Sequence, residues 1–267
     1  LDELTEADTL SREGLETLKR TLGEDDPKTL EALMNRAIVL RQTGKTDEAR
    51  AVYEGLLERQ RSVYGDVSVE VAQTLNNLAY LLRTQGDYEA AISRYQEAMT
   101  IQDQLLDRTH PWNLTIRQNI CGPLDQLGRY DEVERYLHEV LERRRELYPE
   151  GHLQIATTIV PGISRFLMTR EKYAEAEPLL QEALQISESG GEEYADYTAI
   201  TRGSLAACLF GLGRADEARG LVTESLRILE SRSEYPRAVR FNIPWTEKQL
   251  NAVSQPEYAA RYGALVE

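Results

Sequence analysis

Gly86-Asp87-Tyr88-Glu89-Ala90-Ala91 decides the fold, because the phrase returns. Gly44-Lys45-Thr46-Asp47-Glu48-Ala49 stands 42 residues before it, and Gly128-Arg129-Tyr130-Asp131-Glu132-Val133 stands 42 after it. Glu171-Lys172-Tyr173-Ala174-Glu175-Ala176 follows 43 later, and Gly213-Arg214-Ala215-Asp216-Glu217-Ala218 another 42 beyond that. Five copies at near-constant spacing are the signature of a repeat array.

Each phrase stands between two stretches of helical periodicity. Before Gly86, Val71, Leu75, Leu78, Ala79 and Leu82 recur at three and four residues and make one helix face. After it, Ala91, Tyr95, Ala98, Ile101 and Leu105 do the same. The glycine between them suits the left-handed residue that stops a helix. The unit is a helical hairpin with a tight turn. Small residues mark where its two helices meet, since short side chains let helix axes approach. One column reads Ala37, Ala79, Cys121, Ser164, Ala206, and a second reads Ala49, Ala91, Val133, Ala176, Ala218. Cys121 belongs to the first column and Cys208 also falls on a packed face, so both read as buried packing residues.

The phrase Thr74-Leu75-Asn76-Asn77-Leu78-Ala79-Tyr80-Leu81-Leu82, with Gly86 to Ala91 after it, resembles the tetratricopeptide repeat in its 42-residue form, as in kinesin light chains and many bacterial proteins. Arg108-Thr109-His110-Pro111 is similar to that subfamily's inter-repeat loop. The resemblance covers nearly the whole chain. It implies an all-α, right-handed superhelical solenoid of antiparallel helix pairs. The family is a scaffold with many partners, so the fold by itself names none.

The expected organisation follows from the register. Residues 1–22 read as the second helix of a truncated repeat, so the chain reads as a fragment of a longer protein. Residues 23–232 hold five hairpins, near 28–64, 70–106, 112–148, 153–190 and 194–232. Residues 233–267 form a degenerate capping hairpin. Within that tail, Thr246-Glu247-Lys248-Gln249 has the spacing of a capping box, and a short helix is expected after Pro256. The string Gln255-Pro256-Glu257-Tyr258-Ala259-Ala260-Arg261-Tyr262 resembles the ending of repeat regions in bacterial eukaryotic-type serine/threonine kinases. It departs from that pattern at Val239 to Trp245, where Pro244 interrupts the preceding helix.

The chain has 267 residues and a formal net charge of −14. An acidic surface is ill suited to neutralising phosphates, so nucleic acid and anionic membranes are not expected partners. No apolar run approaches the ~20 residues that cross a bilayer. Two cysteines are too few for a disulfide framework. Arginine far outnumbers lysine, and the combined reading is a bacterial, cytoplasmic protein.

No Gly-rich loop with a strand lysine, no His-Arg-Asp and no Asp-Phe-Gly is present, so a kinase domain is absent from these residues. His110, His138 and His152 make no ligand pair, so neither a metal nor another cofactor is expected, and no catalytic residue is assigned. Asp25-Asp26, Asp131-Glu132 and Glu192-Glu193 fall at helix starts, where negative charge meets the positive end of the helix dipole. Arg143-Arg144-Arg145 reads as a solvated, ion-paired face, with Glu139 and Glu142 at helical spacing. A docking patch for an acidic partner is the rival reading of that run.

The resemblance places the first helix of each hairpin on a concave face. Two residues before the first small column lie Asn35, Asn77, Asn119, Gly162 and Ser204. Asparagine is a poor helix-interior residue, by about half a kcal/mol against Ala. Its carboxamide offers donors and an acceptor. It can clamp the backbone of an extended peptide, as inward asparagines do in the resembled family, or bond between helices and set the pitch. Arg41 and Arg83 lie one turn on and suit an acidic side chain or C-terminal carboxylate. The expected groove comprises Asn35, Arg41, Gln73, Asn76, Asn77, Tyr80, Arg83, Gln118, Asn119 and Arg165.

The fourth hairpin breaks the row with Val160-Pro161-Gly162. Its extra residue falls either in the loop 149–152 or in a bulge near Pro161, with a change of curvature there. A specialised pocket around Pro161, Arg165 and Met168, or a tolerated defect, are both open. The functional expectation is a non-catalytic scaffold binding a peptide or protein segment in the groove, as a regulatory part of a larger signalling protein. The alternative is a sensor or self-association module, packing on its own catalytic domain or another copy through exposed edges. A homo-oligomer is not predicted.

Overall fold

The computed structural model describes residues 2–265. Helix α1 (Asp2–Leu22) precedes two pairs, α2 (Pro27–Gln42) with α3 (Thr46–Tyr64) and α4 (Val69–Thr84) with α5 (Tyr88–Leu105). A third pair joins α6 (Pro111–Gln126) to α7 (Tyr130–Leu147). In the fourth, the first arm is broken into α8 (Leu153–Thr158), a π-helical turn (Ile159–Ser164) and α9 (Arg165–Met168), followed by α10 (Tyr173–Ser189). A 3-10 turn (Gly191–Tyr194) leads to α11 (Ala195–Gly211) and α12 (Ala215–Glu230), and α13 (Arg237–Ala252) pairs with α14 (Pro256–Gly263). The chain divides within α7 into two units, residues 1–136 and 137–267.

The hairpins share one device. Gly86 sits at φ 83°. Its N–H donates to the Arg83 carbonyl at 3.1 Å, and the Asp87 N–H reaches back to Leu82 at 3.0 Å. These two bonds make a Schellman turn, which satisfies carbonyls the helix end leaves open. The same pair of bonds recurs at Gly44, Gly128 and Gly213. It recurs at Glu171 (φ 59°) and Ser254 (φ 60°), the two described non-glycine residues with positive φ. The turn at Ser254 belongs to α13 and α14 and is a sixth copy that the repeated phrase does not announce.

In the first unit, α2 packs between α1 and α3, α4 packs between α3 and α5, and α6 packs on α5. Ala37, Ala79, Ala49 and Ala91 are all fully buried at the crossings. Cys121 is buried as well, and burial pushes its thiol up to about 12. Leu15, Leu30, Leu33 and Leu56 form the core beneath α1 to α3. Polar ties cross the same seams. Arg36 bonds the Asp8 carboxylate and, at 2.9 Å, Ser11, while Lys45 and Arg36 hold the Asp8 carboxyl below its usual range. Thr74 Oγ1 donates to Gln60 Oε1 at 2.6 Å, and Arg117 pairs with Asp103 at 2.6 Å. Helix starts are capped by Asp26, Ser68 and, through its ring nitrogen, His110.

In the second unit, His152 caps α8 as His110 caps α6, 42 residues earlier. The register is therefore intact at His152 and shifted by one at Ser164. The extra residue lies in the π turn and not in the 149–152 loop. Pro161 has no N–H, and its ring would strike the carbonyl four residues back in an α-helix. Widening to a π turn absorbs both problems and one residue. Two expectations are corrected here. Thr246 does not open a helix: α13 runs through it, and its hydroxyl donates to the Asn242 carbonyl at 3.2 Å. Arg143 is not part of a solvated face, being only 7% exposed and bonded to Glu139. Arg145 is exposed and pairs with Glu142 and Glu182, each at 2.7 Å.

The closing hairpin is anchored by one side chain. Tyr262 is fully buried; its hydroxyl shares a 2.5 Å hydrogen bond with Ser225, which donates to the Ala199 carbonyl. Gly203 leaves room for it, since a Cβ there would overlap the Tyr262 hydroxyl.

The turn residues carry a test. A non-glycine residue in the left-handed region costs about 1–2 kcal/mol. Gly86→Ala should lower stability by about 0.5–1 kcal/mol, the strain less the unfolded-chain entropy that alanine saves. Glu171→Gly should raise it by about 0.5–1 kcal/mol, once the larger chain entropy of glycine is subtracted. Urea unfolding of both variants reads this directly, and a Glu171→Gly chain less stable than the parent would refute it.

Candidate functional site

The first unit brings nine of the ten expected groove residues onto α2, α4 and α6. The asparagines form a row. Asn77 Nδ2 donates to Met34 Sδ at 3.2 Å, and Asn119 Nδ2 donates to Asn76 Oδ1 at 3.1 Å. Each bond links one first helix to the one before it, 43 residues back. The inter-helix role is thus visible, and each carboxamide retains further bonding capacity. Asn35 is exposed. Gly162, at the equivalent place in the fourth hairpin, has no side chain with which to extend the row.

Beside the row lies a stacked triple. The Arg41 guanidinium carbon is 4.9 Å from the centre of the Tyr80 ring, and that of Arg83 is 4.7 Å from it. Gly122 makes this arrangement fit, because a Cβ there would come within 2.7 Å of Arg83 Nη1. Among the described residues, neither arginine pairs with a carboxylate, in contrast to Arg36, Arg50, Arg59, Arg61, Arg94, Arg117 and Arg129 of the same unit. Behind the triple, Tyr53 and Tyr95 are fully buried, and the Tyr95 hydroxyl has no hydrogen-bond partner among the described residues. Burial raises both phenols, most strongly Tyr95, and nearby Arg41 and Arg83 oppose that rise.

A pocket of about 270 Å³ opens between α4 and α6, lined by Met34, Gln73, Asn76, Asn77, Gln102, Trp112, Thr115 and Ile116. Gln102 and Trp112 were not among the expected residues. Trp112 is 42% exposed and sits edge-on to His110, with ring centres 5.6 Å apart. Gln102 is 5% exposed, and its Oε1 has no hydrogen-bond partner among the described residues. The repeat explains why. Gln102 occupies the place of Gln60, 42 residues earlier, whose Oε1 accepts from Thr74. The residue 42 after Thr74 is Ile116, which has nothing to donate. The pocket wall therefore carries an orphaned acceptor beside an exposed indole. Gln118 is half-buried on α6 and does not line this pocket.

Arg165, the tenth residue, belongs to the second unit. Its guanidinium carbon lies 5.8 Å from the ring centres of both Phe241 and Trp245. Met168 does not join it in a pocket, being 1% exposed in the core.

The two thiols are buried, and burial pushes each up to about 12, so neither carries a thiolate near neutral pH. The pocket lining contains no carboxylate, histidine or cysteine.

Tetratricopeptide repeat patterns match residues 1–62, 31–104, 70–120 and 155–231, and a second pattern of the same description matches 124–154. The chain belongs to the tetratricopeptide repeat family. Among curated relatives, tetratricopeptide repeat protein 19, mitochondrial, of Mus musculus is 25% identical over 186 residues, covering 64% of this chain. The chain spans about half the length of the curated relatives it matches. Among solved structures, BtubC (BKLC) from P. vanneervenii superposes with a TM-score of 0.72 at 20% identity, over 88% of this chain and 95% of that one. A kinesin light chain with nearly identical repeats from Podosopora anserina gives 0.68 at 18% identity, over 78% and 99%. At these identities the structures share the fold. Tetratricopeptide repeat domains are in general scaffolds that bind proteins or peptides. Among the described residues, no helix is long and apolar enough to cross a membrane.

The orphaned acceptor carries a test. Gln102→Met removes an unsatisfied buried oxygen and should raise stability by about 1 kcal/mol. Gln60→Met strands the Thr74 hydroxyl and should lower it by about 1–2 kcal/mol. Thermal unfolding of the pair distinguishes the two, and equal losses would show that Gln102 is satisfied as Gln60 is.

Proposed function

We propose that this chain is a non-catalytic interaction module whose first unit takes a short carboxylate-bearing peptide along α2, α4 and α6. The observation that carries this reading is the Arg41–Tyr80–Arg83 triple, two cations held on one ring with no carboxylate among the described residues to neutralise them. Stacking on an aromatic face contributes about 0.5–1 kcal/mol and orients a guanidinium without using its N–H donors. A carboxylate arriving there gains charge-assisted bonds of about 1.5–3 kcal/mol each. Few such bonds are needed for micromolar affinity, about −8 kcal/mol after ordering costs. The carboxamides of Asn35, Asn76, Asn77 and Asn119 then meet the peptide backbone. The pocket at Gln73, Gln102 and Trp112 receives a side chain that is apolar at its body and bears an N–H or O–H donor at its tip.

The setting we propose is a regulatory part of a larger bacterial signalling protein in the cytoplasm, with nucleic acid and membrane outside its range of partners. The arginine-rich composition, the acidic charge and the kinase-like closing string support it.

Panning a displayed peptide library on the full chain tests the groove. Selected sequences should be rich in Asp and Glu. Arg41→Gln with Arg83→Gln should weaken them at least tenfold, about 1.4 kcal/mol, with the helical circular dichroism unchanged. Selection of basic sequences, or unchanged binding by the double variant, would sink the assignment.

A further inference from the structure

The second unit distributes its cations in a telling way. Several are neutralised: Arg202 pairs with Glu188 at 2.8 Å, Arg214 with Glu177 and Glu217 at 2.6 Å, Arg232 with Asp196 at 2.9 Å, and Arg261 with Glu230 at 2.7 Å. Arg165, Arg240 and Lys248 are different. They line one depression with Phe241, Pro244 and Trp245, and none of the three has a carboxylate partner among the described residues. The depression measures about 510 Å³. Its lining holds three cations and two aromatic rings and no acid, in a chain whose formal net charge is −14.

Three features make this a built surface rather than three stray side chains. Arg165 is half-buried and stands 5.8 Å from two ring centres, so the rings hold its guanidinium in place. Burial draws its affinity for the proton below the ordinary arginine value, as for a cation short of compensating charge. Phe241 is 65% exposed, the most exposed large apolar side chain among the described residues. Trp245 is 4% exposed, and its indole N–H has no hydrogen-bond partner among the described residues, an arrangement that buried polar groups seldom tolerate without a reason. The cations thus surround an apolar platform. The π turn contributes directly, because Arg165 is the first residue after it and takes its register from the extra residue.

We propose that this face of α9 and α13 is a second docking site, and that its occupant is a short acidic peptide segment in which carboxylates flank an aromatic or large aliphatic side chain. The carboxylates meet Arg165, Arg240 and Lys248, and the apolar side chain covers Phe241 and Pro244. Charge complementarity selects this occupant. A short segment lies within the basic patch, whereas a long polyanion must run onto the acidic surface beyond it. This site is independent of the groove on α2, α4 and α6, since it uses other residues in the other unit.

Trp112 and Trp245 are the two tryptophans of the chain, so Trp112→Phe leaves Trp245 as the sole indole reporter. The full chain carrying that substitution is titrated with the peptide DDFEEL, with its neutral twin NNFQQL, and with an eight-residue oligothymidylate. The acidic peptide should change Trp245 emission saturably at submillimolar concentration, with the neutral twin and the oligonucleotide at least tenfold weaker. Lys248→Gln with Arg240→Gln, both at exposed positions, should weaken the acidic peptide at least tenfold. Arg41→Gln with Arg83→Gln should leave this titration unchanged, which separates failure here from failure of the groove. No response to the acidic peptide at millimolar concentration would overturn the proposal. Equal response to the neutral twin, preference for the oligonucleotide, or full retention by the Lys248/Arg240 variant would overturn it too.

Discussion

A residue held in the left-handed region, with two backbone hydrogen bonds closing over it, ends the first helix of every complete hairpin in this chain. At Gly86 the bonds run to Arg83 and Leu82, and the same geometry recurs at residues 44, 128, 171, 213 and 254. The turn reverses the chain within a few residues and so sets Ala79 against Ala91, the small pair at which the helices cross. Everything else in a hairpin takes its position from that crossing. Residues one turn before the stop, such as Tyr80 and Arg83, are carried to the same face in each repeat. A conserved backbone geometry thus converts a 42-residue spacing in sequence into a row of side chains in space.

The charge distribution follows from the same frame. Acidic residues collect at helix starts and along second helices, where they meet arginines of the same or the adjoining hairpin. Such exposed pairs contribute little each, about 0–1 kcal/mol. Their consequence is selective: they occupy most of the guanidinium groups and leave Arg41 and Arg83 in the first unit, and Arg165 and Arg240 in the second, facing rings instead of carboxylates or bare of them. Within an acidic chain, these residues place local positive charge on α2 and α4 in the first unit and on α9 and α13 in the second. The orphaned Gln102 has a kindred origin, as a repeat position whose partner changed from Thr74 to Ile116 while the glutamine stayed.

The repeat, the helix pairing and the small-residue columns were legible because each depends on local spacing. The row of asparagines was legible as a row, but its bonds to Met34 and Asn76 were not, since they depend on how successive first helices sit side by side. Thr246 misled because a Thr-x-x-Gln spacing also arises inside a helix, where the hydroxyl bonds back to Asn242. The sixth turn carries no repeated phrase, because Ser254 stands where the turns at 44, 86, 128 and 213 have glycine. Gln102 and Trp112 were missed because nothing in either residue's neighbourhood marks it; only comparison across hairpins shows that Gln102 lost its donor. Arg165 was expected in the groove, and its aromatic neighbours come from α13, more than 70 residues along the chain.

The central claim is that arginines left unpaired on the first helices are the ones that meet a ligand. The side-chain Nε–H spectrum of the arginines, recorded while an acidic peptide selected on the full chain is added, tests it most directly. The resonances of Arg41 and Arg83 should move saturably with peptide, while those of ion-paired residues such as Arg59, Arg214 and Arg227 stay in place. Shifts spread evenly over paired and unpaired arginines, or shifts that spare Arg41 and Arg83, would contradict it.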